Sequence, residues 1–317
     1  MSEIEVTINK KEITSRTKRL DGRFNVKLKL KAIARGYIFT RNIFFDIPKF
    51  EDFMKILENI KVKSKVENKD IITLVNFYEK EIEKYKQIQQ IKLFATLNNK
   101  KIIPGSSFKG AIRSRIEYKF APYKKGNFYY SNSCFSVIGS YATYSINHVN
   151  YWSKQVLPYK PSCRYDEEES PYVCIVCDMF GAPGLSSRYY FSNLVLEQGG
   201  VEILKEKNGI EAIKPNSIFK GEIIGINANF VELGILFAGL ELYSDIPVLI
   251  GAFKYQHIPR LKKPLFRNNF EFGTIKFELV DYEPKDMAKD VKDLISKAKQ
   301  ELENSEYKMN LELGKIT

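Results

Sequence analysis

The segment Ile-Pro-Gly-Ser-Ser-Phe at residues 103–108 joins an apolar run to a stretch of helical periodicity. Pro104 and Gly105 are residue types that end regular structure, and together they predict a tight turn. Ser106 and Ser107 are favourable N-cap residues, so we expect the helix to begin there. Its apolar positions recur every fourth residue: Phe108, Ile112 and Ile116. The segment therefore predicts a strand, a tight turn and a helix.

A turn of this kind leaves backbone N–H groups unpaired at the positive end of a helix dipole, which favours binding of a phosphate. Lys109, Arg113 and Arg115 add three cations within two helical turns. We therefore expect a phosphate group to contact Ser106, Ser107, Lys109 and Arg113. A capped helix with a solvated basic face is the alternative that these residues leave open.

Four cysteines indicate a structural zinc site: Cys134, Cys163, Cys174 and Cys177. The Cys-x-x-Cys spacing of Cys174 and Cys177 lets one turn present two thiolates to a zinc ion. Cys163 is the expected third ligand. The fourth is His148 or Cys134, and we prefer His148 because it lies nearer in the sequence. Nucleobase deaminases also use such cysteine pairs, but their His-x-Glu and Pro-Cys-x-x-Cys patterns are both missing here.

The sequence Ile102 to Arg115, IIPGSSFKGAIRSR, is similar to the signature of the RAMP superfamily of CRISPR-associated proteins. Cys174 to Gly181 also resembles the zinc-linked Cys-x-x-Cys of that family, which is followed by Phe-Gly. The resemblance implies a backbone-type subunit of a type III (Csm/Cmr-like) effector complex. Its implied partners are guide RNA (crRNA), target RNA and other RAMP subunits.

The arrangement of apolar residues indicates an α+β protein with a single RAMP domain over residues 1–317. Residues 23–37 alternate apolar positions with lysines and predict a half-buried strand that has one cationic face. Further strands are expected at 188–196, 217–226, 247–253 and 271–280, and helices at 230–242 and 284–303. This β-α-β … β-α-β order predicts a ferredoxin-like (RRM-like) core, which is also the fold that the resemblance implies.

Two insertions are expected in this core. Residues 49–92 carry apolar residues at helical spacing and predict a helical insertion of two helices. Residues 121–185 form an aromatic and cysteine-rich insertion, which the zinc would stabilise. Its rings near Lys124 and Lys125 could stack on unpaired bases, although packing against the core is the alternative for any single ring.

A third basic segment runs from Lys254 to Arg267 without any acidic residue. By resemblance this segment corresponds to a hairpin whose glycine-rich loop lies against the RNA backbone. Gly251 and Gly273 are all that remains of the glycine pattern. We expect Lys254, Arg260 and Lys262 to contact RNA, with a solvated basic loop as the alternative.

The net charge of +12 is concentrated in a few stretches of the chain. Residues 101–150 carry seven basic side chains and one acidic side chain, whereas residues 151–250 carry an acidic excess. Such uneven charge favours a polyanionic partner, and nucleic acid is preferred over a membrane surface because no basic amphipathic helix is visible. No apolar run approaches the ~18–20 residues of a membrane helix, and no signal peptide is evident, so a cytoplasmic protein without membrane partners is expected.

Catalysis is not expected of this chain. Active type III backbone subunits place an aspartate shortly before the Pro-Gly-Ser-Ser turn, but residues 84–116 contain neither Asp nor Glu. Asp46 and His257 are the candidates left for an endoribonuclease that acts on target or precursor RNA. We therefore predict a non-catalytic guide-RNA-binding structural subunit. Two alternatives stay open. One is an endoribonuclease that uses Asp46 or His257, and the other is a zinc-stabilised RNA-binding protein outside CRISPR.

Overall fold

The computed structural model describes residues 6–40, 93–134, 163–204, 210–252, 254 and 272–312. The predicted helical insertion at 49–92 lies entirely outside these residues. Residues 135–162 of the aromatic insertion and most of the basic segment after Lys254 also lie outside them.

The described residues combine short and long strands with four α-helices, which confirms the α+β class. The helices are α1 (Gly105–Lys119), α2 (Ile175–Phe180), α3 (Phe230–Gly239) and α4 (Val291–Glu303), with a 3-10 turn at Lys285–Met287. The strands are β1 (Val6–Ile8), β2 (Lys11–Glu12), β3 (Phe24–Ala34), β4 (Thr96–Leu97), β5 (Lys100–Ile103), β6 (Tyr123–Lys125), β7 (Phe128–Ser131), β8 (Tyr172–Val173), β9 (Tyr189–Phe191), β10 (Leu194–Gln198), β11 (Val201–Leu204), β12 (Ile210–Ile213), β13 (Ile218–Ala228), β14 (Val248–Leu249) and β15 (Thr274–Glu283).

The large sheet has the strand order β14-β15-β3-β13-β10-β5-β4, and β9 also pairs with β13. All of these pairings are antiparallel. β3 lies between β13 and β15, with Leu30 opposite Gly221 of β13 and Leu279 of β15. Three smaller sheets surround it: β1-β7-β6, β11-β12 and β2-β8.

The alternation predicted for residues 23–37 is present in β3. Val26, Leu28 and Leu30 are buried on one face of the sheet. On the other face the lysines form ion pairs with the neighbouring strands: Lys27–Glu222 at 3.0 Å, Lys29–Asp281 at 3.0 Å and Lys31–Glu278 at 3.1 Å. The lysines therefore share one face as predicted, and carboxylates of β13 and β15, which the β3 sequence alone does not reveal, compensate their charge.

Helix α3 is buried along most of its length. Leu233, Ile235, Leu236 and Phe237 are all inaccessible to solvent. α3 contacts both α1 and α4. Full burial of each such side chain stabilises the fold by about 1.5–3 kcal/mol, so this helix contributes strongly to the core. The predicted helix at 230–242 is thereby confirmed, and the Asn229 side chain caps it by accepting a hydrogen bond from the backbone N–H of Glu232 at 2.8 Å.

The predicted start of the last helix was wrong. Pro284 precedes the 3-10 turn, and α4 begins only at Val291. The reason is the cap: the Asp290 side chain accepts a hydrogen bond from the backbone N–H of Asp293 at 2.8 Å. A strong N-cap residue defines a helix start more closely than a proline does. No helix in the described part of the chain is long and apolar enough to cross a membrane.

A buried ion network joins segments that are distant in the sequence. The Arg188 guanidinium bonds to Asp178 of α2 at 2.9 Å and to Glu232 of α3 at 2.7 Å, and all three side chains are buried. Two cations of the N-terminal segment, Lys11 and Arg16, each approach Asp178 to 2.8 Å. The network therefore fixes the N-terminal segment, the cysteine-bearing helix and α3 to one another.

The carboxyl of Asp178 is held in its charged form. Burial alone would raise its pKa, but the charges of Arg188 and Lys11 and the hydrogen bonds from Lys11 and Thr14 more than offset burial, so the pKa is lowered. A lowered pKa in the folded state means that the contribution to stability is present above the ordinary Asp pKa of about 3.9 and is lost at lower pH.

We expect Asp178→Asn to destabilise the protein by about 3–5 kcal/mol, because it leaves Arg188 and two further cations without one of their carboxylates. Urea unfolding measures this loss. The control Glu222→Gln breaks a half-exposed ion pair of the sheet and is expected to cost less than about 1 kcal/mol.

The same comparison at different pH values checks the charge assignment. The stability difference between the unsubstituted protein and Asp178→Asn should be constant above about pH 5 and should shrink below about pH 4. A stability difference that stayed constant below about pH 4 would contradict a stabilising role of the charged Asp178 carboxylate.

Candidate functional site

The Pro-Gly-Ser-Ser turn connects β5 to α1 at a point where the backbone of β9 comes very close. A Cβ atom on Gly105 would lie 2.3 Å from the carbonyl oxygen of Phe191, which is far inside contact distance. The backbone N–H of Gly105 also donates to Oδ1 of Asn193 at 2.8 Å. Glycine is therefore required here by packing, and the position of the turn is fixed against the sheet.

The start of α1 offers two free backbone donors. Helix starts leave their first N–H groups without intrahelical partners. Pro104 is the N-cap and has no N–H, and the N–H of Gly105 bonds to Asn193, so the N–H groups of Ser106 and Ser107 remain. Neither serine makes a hydrogen bond from its backbone N–H within the described residues, and both serines are exposed. The predicted N-cap at Ser106 or Ser107 is wrong, because Pro104 occupies that position and both serines lie in the first helical turn.

Lys109 lies one turn into α1, next to this pair of donors. Its side chain is half-buried, and burial together with the neighbouring charge of Arg113 lowers its pKa. It has no ion-pair partner among the residues that the structure describes. An anion at the turn would therefore meet a lysine whose charge is uncompensated in this part of the protein.

Arg113 points into the protein. Its guanidinium donates to Glu117 at 2.8 Å, to the carbonyl oxygen of Gly181 at 2.8 Å and to Sγ of Cys177 at 3.4 Å. Arg115 likewise pairs with Glu241 at 2.6 Å. Among the described residues, Arg113 and Arg115 make internal contacts and Lys109 makes no ion pair, so in this part of the chain the three predicted cations do not form a continuous basic face on α1.

The four cysteines come together in a buried cluster. Their sulfur atoms all lie within 4.8 Å of one another, with Cys134 Sγ 3.3 Å from Cys177 Sγ and 3.6 Å from Cys174 Sγ. None of them forms a disulfide. A tetrahedral zinc ion with Zn–S bonds of about 2.3 Å separates its sulfurs by about 3.8 Å. The cluster therefore fits a four-cysteine metal site in both chemistry and spacing.

The surroundings of the sulfurs favour thiolates bound to a cation. Backbone N–H groups of Cys163, Cys174 and Cys177 each donate to a cysteine sulfur at 3.4 Å. Burial raises the pKa of the Cys174 thiol, so a thiolate at this depth needs a compensating positive charge. A divalent metal bound by the four sulfurs would supply that charge.

Of the two candidates for the fourth ligand, the structure describes only Cys134. Cys134 completes the cluster with the three predicted cysteines. His148, which the sequence analysis preferred, lies outside the described residues. The preference followed distance along the chain, whereas Cys134 reaches the cluster because it lies just beyond β7.

Both sequence motifs pack on the same short strand, β9. The ring of Phe108 meets the ring of Phe191 edge-on at 4.9 Å, and the ring of Phe180 lies 5.7 Å from it. Gly181 follows Phe180 with a positive φ of 86°, and a Cβ there would lie 2.9 Å from the carbonyl oxygen of Leu185. The Phe-Gly pair is therefore a packing and turn requirement that positions the cysteine helix beside α1.

The third predicted basic segment is described only at its start. Lys254 is half-buried, and burial lowers its pKa. Arg260 and Lys262 lie outside the described residues. Their contacts with RNA stay predictions.

Asn193 is a residue of this site that sequence reasoning missed. Its side-chain oxygen accepts a hydrogen bond from the backbone N–H of Gly105. No sequence motif around Asn193 predicts that contact. Cys134 was weighed and placed second, although a count of four cysteines in the chain already favoured a complete four-cysteine set.

The packing of Gly105 on β9 predicts opposite effects for two glycines of the same helix. Gly105→Ala forces a backbone shift and should destabilise the protein by about 1–3 kcal/mol. Gly110 lies in the middle of α1, and a Cβ there would meet no other atom within 4 Å. Gly110→Ala should therefore stabilise the protein by about 0.5–1 kcal/mol, because alanine favours the helix more than glycine does. Thermal unfolding of both variants measures this contrast. Equal stabilities would mean that the turn is not held against Phe191.

Comparison with known proteins places this architecture in a family. The family model of the RAMP superfamily matches residues 86–314, which is well over half of the chain. No curated protein matches the chain. A solved chain titled "Type IV-B CRISPR Complex" aligns with it at a TM-score of 0.37 and 10% sequence identity, covering 80% of this chain and 90% of the solved one. From the match to the family model, the chain belongs to the RAMP superfamily.

Proposed function

We propose that this chain is a non-catalytic structural subunit of a type III CRISPR effector complex and that it holds guide RNA by its phosphates. The observation that carries the proposal is the start of α1, where the exposed N–H groups of Ser106 and Ser107 lie beside Lys109. Membership in the RAMP superfamily supports it. The proposed partners are guide RNA, target RNA and other RAMP subunits, and the proposed location is the cytoplasm.

The chemistry of the turn suits a phosphate of any RNA sequence. Two parallel N–H donors at the positive end of a helix match the oxygens of one phosphate group. Lys109 adds a charge that phosphate binding would compensate. Contacts of this kind position RNA without reading its bases, which is what a subunit that holds variable guide sequences requires.

Arg113 has a different role in this proposal from the one expected from sequence. Its three internal contacts link α1 to Glu117, Gly181 and Cys177. We propose that it supports the turn by holding α1 against the cysteine helix. A direct contact between Arg113 and a phosphate remains a prediction, and it would require these contacts to break.

We also propose a ferredoxin-like core within one RAMP domain over residues 1–317. The chain order β3, α1, β10, β13, α3, β15 supports this core, because it reads β-α-β-β-α-β. All four strands are neighbours in the large antiparallel sheet, in the order β15-β3-β13-β10. The remaining described elements would then be additions to that core.

We propose that Cys134, Cys163, Cys174 and Cys177 bind one structural zinc ion. Their number and spacing leave no open position for a substrate, as in closed structural zinc sites. Cys134 and Cys163 flank residues 135–162, so the ion would hold together the two ends of this aromatic segment. This supports the proposed zinc-stabilised insertion at residues 121–185.

One zinc ion per chain should accompany the purified protein, as measured by elemental analysis. Cys174→Ser and Cys134→Ser should each remove the metal and lower the melting temperature, because metal binding is coupled to folding of the insertion. His148→Ala is the matched control and should retain the metal. Full stability of the metal-free protein, or loss of zinc in His148→Ala, would contradict the four-cysteine assignment.

The residues before the turn support a non-catalytic role. Asn98 and Asn99 have positive φ angles of 49° and 61° and form the tight turn between β4 and β5. Asparagine adopts this conformation more readily than most residues, so the two amides have a structural reason to be there. Asp46 and His257, the remaining nuclease candidates, lie outside the described residues.

Lys109→Ala should weaken binding of unrelated single-stranded RNAs to a similar extent. Loss of one phosphate contact should also flatten the dependence of log affinity on log salt concentration by roughly 0.7. Fluorescence anisotropy at several salt concentrations measures both. The control Lys220→Ala removes an exposed sheet lysine and should change neither.

The same protein should not cut labelled guide precursor or guide-paired target RNA, with or without magnesium. Specific products that disappear in Asp46→Asn or His257→Ala would identify an endoribonuclease instead. Co-purification with other RAMP subunits tests the complex. RNA binding without any such subunit would favour a zinc-stabilised RNA-binding protein outside CRISPR.

A further inference from the structure

The hairpin of β6 and β7 carries aromatic and basic side chains that the phosphate-binding turn does not use. Resting on the proposed function, we infer that this hairpin binds an unpaired nucleobase of single-stranded RNA. Phe128 supplies the stacking surface, and Lys125, its cross-strand partner on the same face, contacts the adjoining phosphate. The turn precedes the N-terminal end of α1, whereas the hairpin follows its C-terminal end, and the 15 residues of α1 span about 22 Å.

Phe128 is unusually accessible for a phenylalanine. Its side chain is 67% exposed at the tip of the hairpin, where it is paired with Lys125 across a two-residue turn. Tyr123 and Tyr130 form the next pair on the same face, with ring centroids 6.2 Å apart. An aromatic strip therefore runs along one face of the hairpin and ends in an exposed ring beside a lysine.

The base of the hairpin is held in place. β1 pairs with β7 in parallel, and the Asn9 N–H donates to the carbonyl oxygen of Ser131 at 2.8 Å. The Asn9 side chain donates to the hydroxyl of Tyr123 at 2.9 Å and to Oδ1 of Asn132 at 2.7 Å. A platform that is ordered before binding loses little conformational entropy when a base stacks on it.

The charge around the hairpin favours RNA over a protein partner. From Tyr118 to Tyr165 the sequence contains no Asp or Glu. Lys124 and Lys125 have no ion-pair partner among the described residues, in contrast to the lysines of β3, which are paired. Rings next to unpaired cations match single-stranded nucleic acid, where each nucleotide offers a flat base and a phosphate.

The experiment measures binding of a fluorescein-labelled 20-nucleotide single-stranded RNA to the full-length protein. Phe128→Leu keeps the apolar volume but removes the ring, and it should raise Kd by about five- to a hundred-fold with an unchanged salt dependence. Phe128→Tyr retains the ring and should bind like the unsubstituted protein. Lys125→Ala should flatten the salt dependence by roughly 0.7 in log–log slope, because it removes one phosphate contact.

Two controls separate stacking from general effects. Tyr190→Leu removes another exposed ring, on the large sheet, and should leave RNA affinity unchanged. The same RNA annealed to its complement has no unpaired base, so Phe128→Leu should not weaken its binding. Because Phe128 is exposed, the melting temperature of Phe128→Leu should match that of the unsubstituted protein.

Failure of this inference is distinguishable from failure of the proposed function. If Lys109→Ala weakens RNA binding and Phe128→Leu does not, the hairpin assignment is overturned and the phosphate-binding turn stands. If the unsubstituted protein binds no RNA, the proposed function falls and the hairpin assignment falls with it. If Phe128→Leu keeps RNA affinity but loses co-purifying subunits, the hairpin is a protein contact and the inference is overturned.

Discussion

The guanidinium of Arg188 is the charge on which the arrangement of three separate segments depends. It lies fully buried between Asp178 of the cysteine helix and Glu232 at the start of α3, while Lys11 brings the N-terminal segment to the same carboxylate. An isolated buried ion costs several kcal/mol, so each charge is tolerable only when the others are in place. The network therefore couples the order of the cysteine helix to the order of the main core.

The two halves of the candidate site share a support, the short strand β9. Gly105 packs on the backbone of Phe191, whose ring also contacts Phe108 and Phe180. Arg113 adds a polar link between α1 and the sulfur of Cys177. The turn that offers N–H donors and the cluster that fits a metal are thus parts of one packed unit. Because of these contacts, a loss of order at the cysteines would also change the position of the turn.

Positive charge is distributed differently in space than in sequence. The lysines of β3 face carboxylates of β13 and β15, and Arg115 faces Glu241, so much of the basic excess is compensated internally. In the described residues, Lys109 at the turn and Lys124 and Lys125 at the hairpin are among the lysines that lack ion-pair partners. The surface available to a polyanion is therefore defined by which lysines are left without carboxylates, and the net charge of +12 does not locate it.

The sequence by itself determined the α+β class, the turn before α1, the alternation of β3 and the Cys-x-x-Cys pair, because each depends on local residue types and periodicity. It did not determine the partners of Arg113, the neutralised lysine face or the contact of Asn193 with Gly105, which join residues far apart in the chain. It also ranked His148 above Cys134 by distance along the sequence. Only the tertiary structure brought Cys134 to the other three sulfurs, because strand pairing and core packing decide which side chains meet in space.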